Sequence, residues 1–155
     1  MVKVKVKVGD YVPDAKLEAY PDNNEVKLSS YRGKWIVLCF YPRDDTPGCT
    51  KEACGFRDSI KTLKALGADV IGVSTDGLSS HERFTNKYGL NFTLLSDTKG
   101  ELGSSLGVLK ENGSSMYRVT FLVNPDGRIA KIYPKVDPLI HPAEVINDLK
   151  MLKGD

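Results

Sequence analysis

The chain has 155 residues, 41% of them hydrophobic and 27% charged, with a formal net charge of +2. This suits one domain with a single core and an ordinary globular composition, and the mixed signs of charge give no ground for nucleic acid or a membrane as partner. Its three cysteines are an odd number and too few for a disulfide scaffold, and no apolar run is long enough to span a bilayer. The N-terminus lacks a signal peptide's order of charge, apolar core and cleavage site. A reducing cytoplasm is therefore expected, where a cysteine pair is more often catalytic than structural.

Val2 to Val8 alternates valine with lysine, which predicts an edge strand with one dry face. Val12 to Leu17 and Val26 to Leu28 predict short strands around the Pro21-Asp22-Asn23-Asn24 turn, a hairpin added before the main sheet. Trp35 to Tyr41 is a continuous apolar run bounded by breakers, hence a buried strand. A helix from about 47 to 66 follows, ended by Gly67, and then Asp69 to Ser74 as a second buried strand. Ser79 or Ser80 is expected to cap a helix running to about Tyr88, with Gly89 as its stop. Phe92 to Leu95 predicts a short strand and Lys99 to Leu106 a short helix. Met116 to Val123 and Arg128 to Tyr133 predict two strands joined by the hairpin signal Asn124-Pro125-Asp126-Gly127. Pro142 to Leu152 is expected as the last helix. This order describes a layered α/β domain over residues 1–155 with mixed strand directions. Its site belongs at the carboxyl end of the strand that opens the 35–74 crossover.

That position is the stretch Tyr41-Pro42-Arg43-Asp44-Asp45-Thr46-Pro47-Gly48-Cys49-Thr50-Lys51-Glu52-Ala53-Cys54. Pro42 stops the strand because it has no N–H for the ladder. Thr46 offers a hydroxyl cap and Pro47 suits the first helical position. Cys49 then lies in the first turn, beside free N–H groups and the positive end of the dipole. Cys49, Ala53, Phe56, Ile60 and Leu63 form one apolar stripe, with Lys51, Glu52, Arg57, Asp58 and Lys61 off it. Cys54 is turned toward the wetter flank. Five residues of helix separate two Cα atoms by about 8.5 Å, whereas a disulfide spans about 4.4 to 6.8 Å. A Cys49–Cys54 bridge therefore needs the helix start to unwind.

The stretch Phe40 to Cys54 resembles the active site of atypical two-cysteine peroxiredoxins of the bacterioferritin-comigratory, or Q, type. That family carries a proline, then Thr-Pro-Gly-Cys, then a second cysteine five residues on. Tyr117 to Val123 with Asn124-Pro125-Asp126-Gly127 is similar to the family's strand bearing an active-site arginine. Leu95-Ser96-Asp97 and His141 resemble it too, and the likeness covers nearly the whole chain after about residue 8. It implies a thioredoxin-like fold, a mixed central sheet flanked by helices, with an N-terminal strand or hairpin extension. It also implies a monomeric, thiol-dependent peroxidase acting on hydrogen peroxide and alkyl hydroperoxides. In that reading Cys49 is oxidised to a sulfenic acid, Cys54 resolves it as an intramolecular disulfide, and thioredoxin or a similar dithiol protein reduces the disulfide. The resemblance makes Arg118 the active-site arginine and Pro42 a wall of the pocket. No metal or organic cofactor is required.

Physical chemistry says why such a set is needed. Only a thiolate reacts, and a free cysteine has a pKa of about 8.5. A helix N-terminus contributes about 0.3 to 2 kcal/mol, whereas a fixed cation at about 4 Å contributes up to about 4 kcal/mol. The arginine is the stronger lever. Lowering the pKa also lowers nucleophilicity, so rate must come from donors aimed at the charge developing on the peroxide. The N–H groups of Gly48 and Cys49, the Thr46 hydroxyl and the Arg118 guanidinium can supply them. Thr46 can accept from the peroxide while donating elsewhere.

Plainer readings stand beside these. Cys39, mid-strand among apolar neighbours, reads as core filler. His81 and His141 read as structural, and Glu52 is balanced between pairing with a nearby base and a solvated role. A thiol–disulfide oxidoreductase of the same fold is the alternative function, but C-x4-C is not the C-x2-C spacing that chemistry uses. No zinc or iron–sulfur spacing fits the cysteines.

Overall fold

The computed structural model describes residues 2–154; Met1 and Asp155, assigned above to the same domain, lie outside them. The elements are β1 (Lys16–Tyr20), β2 (Asn24–Lys27), a 3-10 turn (Leu28–Tyr31), β3 (Trp35–Phe40), α1 (Pro47–Ala65) and β4 (Ala68–Ser74). They continue with α2 (Leu78–Tyr88), β5 (Thr93–Ser96), α3 (Glu101–Leu106), β6 (Val119–Val123), β7 (Ile129–Tyr133) and α4 (His141–Lys153). All the strands join one seven-stranded sheet in the order β2-β1-β5-β4-β3-β6-β7. β3, β4 and β5 run parallel, and the pairs toward both edges are antiparallel. The mixed α/β sheet flanked by helices is therefore as the sequence predicts.

β3 explains why its residues are apolar on both sides. Ile36, Leu38 and Phe40 enter a core with Ile71, Phe121, Leu102 and Leu106, while Val37 and Cys39 enter another with Phe56, Ile60, Leu63, Val145 and Leu149. A strand dry on both faces needs a continuous rather than an alternating run. Helices α1 and α4 cover the second side, and α3 contributes to the first.

Four boundaries depart from the sequence reading. Val2 to Val8 forms no strand; it runs as an extended strap whose Val2, Val4 and Val6 pack on the first core while the lysines face out. Its one-dry-face pattern survives, but its bonds are scattered, such as Lys5 N–H to the Leu106 carbonyl at 2.9 Å and Gly9 N–H to that of Ile129 at 2.8 Å. The early hairpin is present but shifted toward residues 16–27, because its first strand pairs with both β2 and β5. Helix α2 starts at Leu78 behind Gly77, not behind Ser79 or Ser80. Ser80 is spent elsewhere, donating to Asp44. Met116 stays outside β6, bridging Leu109 with its side chain packed under Gly103.

Candidate active site

Cys49 is the third residue of α1 and only 2% exposed. Pro47 opens the helix, and the first helical bond runs from Thr50 N–H to the Thr46 carbonyl at 2.8 Å. The N–H groups of Gly48 and Cys49 thus precede the helical ladder and point out of its positive end. The buried stripe of α1 is the expected Cys49, Ala53, Phe56, Ile60 and Leu63, with one addition: Glu52, expected off the stripe, is 3% exposed.

Arg118 is the reason. The β3–β6 register pairs Phe40 with Val119, so Arg118 lies one residue beyond the end of β3, level with the start of the loop that leads into α1. Its Nη2 donates to Cys49 Sγ at 3.4 Å and its Nη1 to Glu52 Oε1 at 2.9 Å. One planar fork therefore joins the sulfur to a carboxylate one helical turn away. Gly48 makes room for it, since a Cβ there would lie 2.9 Å from Arg118 Nη2. Burial pulls the guanidinium pKa down, but the Cys49 sulfur and the Glu52 carboxylate together raise it above its usual value. Burial pushes Glu52 up to about 7 against the opposing pull of Arg118. Its Oε2 has no partner among the described residues.

Thr46 occupies the N-cap position in extended backbone, but its hydroxyl does not cap the helix. It donates instead to the Arg43 carbonyl at 3.1 Å, which closes the loop on itself and leaves the oxygen's lone pairs available. Pro42, half-buried, follows directly on Tyr41. Cys54 is half-buried on the flank, and all three cysteines are free thiols. Cys39 shares an apolar cavity wall with Cys49, and burial, reinforced by the Glu52 charge, raises its thiol pKa well above normal. A thiol held protonated in that way is inert.

Both histidines are fully buried. His141 packs edge-on against Phe56 and Tyr133, faces Glu144 and Thr120, and is held below its usual pKa by burial. His81 faces Asp44 at 2.7 Å. The sequence reading gives Asp44 and Asp45 no part in the site; their adjacency just before Thr46 is the signal that could have singled them out. Among the described residues no group of three or more His, Cys, Asp or Glu is placed to hold a metal ion, and no helix is long and apolar enough to cross a membrane.

A family model described as AhpC/TSA matches residues 8–132. The chain belongs to the AhpC/TSA family. With that membership goes the enzyme class: it is a thiol-dependent peroxidase of thioredoxin-like fold, a peroxiredoxin. It is 44% identical over 152 residues to Peroxiredoxin Bcp of Bacillus subtilis, covering 94% of this chain and 96% of the relative. A chloroplastic Peroxiredoxin Q of Triticum aestivum is 41% identical over 150 residues, covering 96% of this chain and 69% of that one. Among solved structures, a cysteine-to-serine mutant of Xylella fastidiosa PrxQ superimposes with a TM-score of 0.90 at 31% identity, covering 97% of this peroxiredoxin and 99% of that chain. The Bcp and Q type of peroxiredoxin is therefore the one this chain resembles throughout.

Proposed function

We propose that Cys49 is the peroxidatic thiol and Cys54 the resolving one. The observation that carries this is the 3.4 Å approach of Arg118 to the Cys49 sulfur at a helix start. The thiolate of Cys49 attacks one peroxide oxygen and becomes a sulfenic acid. The other oxygen leaves, takes up a proton, and departs as water or alcohol. Gly48 and Cys49 N–H groups and the Arg118 guanidinium meet the charge that develops as the O–O bond lengthens. Thr46, donating already to Arg43, accepts from the peroxide, and Pro42 keeps water off the sulfur.

Cys54 then displaces hydroxide from the sulfenic sulfur, which leaves as water, and a disulfide forms. An intact α1 holds the two Cα atoms about 8.5 Å apart, so its first turn must open. A dithiol protein of the thioredoxin type returns both thiols. The substrates are hydrogen peroxide and alkyl hydroperoxides; a Xanthomonas campestris bacterioferritin comigratory protein, 30% identical to this chain and covering 97% of it, is described as having alkyl peroxide reduction activity. The chain acts as a single domain, as a monomer, in the cytoplasm; one sheet running from residue 16 to residue 133 supports the first. The C-x4-C spacing and the inward-facing Cys49 disfavour a general thiol–disulfide oxidoreductase.

Peptide mapping after one equivalent of peroxide tests the assignment. A Cys49–Cys54 crosslink is expected in wild type and Cys39→Ser, a single oxidation without recycling in Cys54→Ser, and no reaction in Cys49→Ser. A crosslink through Cys39 overturns it.

A further inference from the structure

Helix α2 carries none of the residues assigned above, yet its side chains converge on the loop leading into Cys49. Asp44 is the centre. Its Oδ1 accepts from Tyr41 OH at 2.6 Å; its Oδ2 accepts from Ser80 Oγ at 2.8 Å and faces His81 Nδ1 at 2.7 Å. Its backbone N–H donates to Asp76 Oδ2 at 2.8 Å, just before α2 begins. The next residue, Asp45, is held at φ 59°, a left-handed conformation uncommon outside glycine. The far end of α2 holds it there: Lys87 Nζ lies 2.8 Å from Oδ2, and Tyr88 OH 2.6 Å from Oδ1. Both ends of α2 thus grip two consecutive residues immediately before Thr46.

The His81 side chain is fully buried and that of Asp44 only 3% exposed. His81 Nε2 lies 3.0 Å from the Leu95 carbonyl oxygen, which can only accept. Nδ1 faces a carboxyl oxygen. A neutral imidazole has one N–H, and here two acceptors face its two nitrogens. The hydroxyls of Tyr41 and Ser80 both donate to Asp44, so its carboxyl group is held by the strand end and by α2 together. The nearby Asp76 carboxylate, which accepts from Ser74 Oγ at 2.8 Å, adds negative charge on the same side.

We propose that His81 and Asp44 are positioning residues for peroxide reduction: a buried histidine–carboxyl pair by which α2 holds the Pro42–Thr46 loop in register with Cys49. This rests on the assignment of Thr46 and Cys49 to the reaction. Buried polar pairs contribute little net stability but can specify one arrangement, and a loop that must place a hydroxyl beside a sulfur needs one arrangement.

Two rates at Cys49 separate positioning from general structure. Alkylation by iodoacetamide reports the thiol alone, whereas single-turnover oxidation by hydrogen peroxide also needs the loop. In Asp44→Asn and His81→Gln the peroxide rate is expected to fall at least about 10-fold, within the range that small misplacements cost, with alkylation near wild type. The double variant, a neutral pair, should lose less than the sum of the two single losses. Should the buried variants misfold, Lys87→Gln with Tyr88→Phe frees Asp45 from the surface and should slow peroxide alone, by about threefold. Folded variants oxidised as fast as wild type overturn the proposal. Oxidation of wild type at a sulfur other than Cys49 would instead overturn the site assignment, and the positioning role with it.

Discussion

Glu52 and Cys39 show how much one side chain's surroundings change its chemistry. Helical spacing places Glu52 off the apolar stripe; Arg118 draws it inside, and burial lifts its carboxyl from 4.5 to about 7. The folded protein therefore keeps a proton that the unfolded chain releases between those values. The sign follows from proton counting: this group's stabilisation is complete below about pH 4.5 and is lost as pH rises to about 7, in all about 3 kcal/mol. Glu52→Gln should remove that part of the decline, read as urea midpoints measured from about pH 5 to about pH 8. An unchanged slope would mean that Glu52 is not the group responsible. Cys39 shows the same consequence of burial at a thiol. Its thiol stays protonated where Cys49 meets a cation, so two sulfurs on one cavity wall have different fates.

At the level of elements, α1 matters for where it begins. Gly48 is not needed for backbone freedom but for space, because its missing side chain admits the guanidinium. Gly48→Ala should fold as well as wild type or better by up to about 1 kcal/mol, alanine being the stronger helix former. Its peroxide rate should nevertheless fall about 10-fold, since the easy escape is a displaced Arg118. Thermal melts beside single-turnover kinetics would check both halves; a loss of stability matching the loss of rate would refute it. Much of α1 is legible in the sequence: Pro47 at its start, the apolar stripe and the sheltered Cys49 follow from spacing alone. Thr46 as a hydroxyl cap is not correct: its hydroxyl turns back to donate to the Arg43 carbonyl, and its oxygen accepts from no helix N–H. Ser80 departs from its expected cap likewise. A local cap rule cannot see an Asp44 that arrives from another part of the chain.

For the whole molecule, the N-terminal strap shows how weakly the strand signal constrains pairing. Alternating valine and lysine determine which side faces the core, not whether a partner strand is vacant. Val4→Ser or Val6→Ser should cost about 1 to 2 kcal/mol through lost burial and leave single-turnover peroxide oxidation unchanged. Equal losses of both would tie the strap to the site. The covalent order of the chain by itself determined the mixed α/β class, the buried β3, the helix with Cys49 in its first turn and the pair of cysteines five residues apart. Each of these depends on neighbours within a few positions. Only the tertiary structure decided that Arg118 reaches the sulfur, that Glu52 shares its fork and that α2 holds Asp44 and Asp45. Those contacts join residues 36 to 69 positions apart and are created by the sheet register and helix docking. No periodicity in the chain encodes them, because their geometry exists only once β3, β4 and β6 lie side by side.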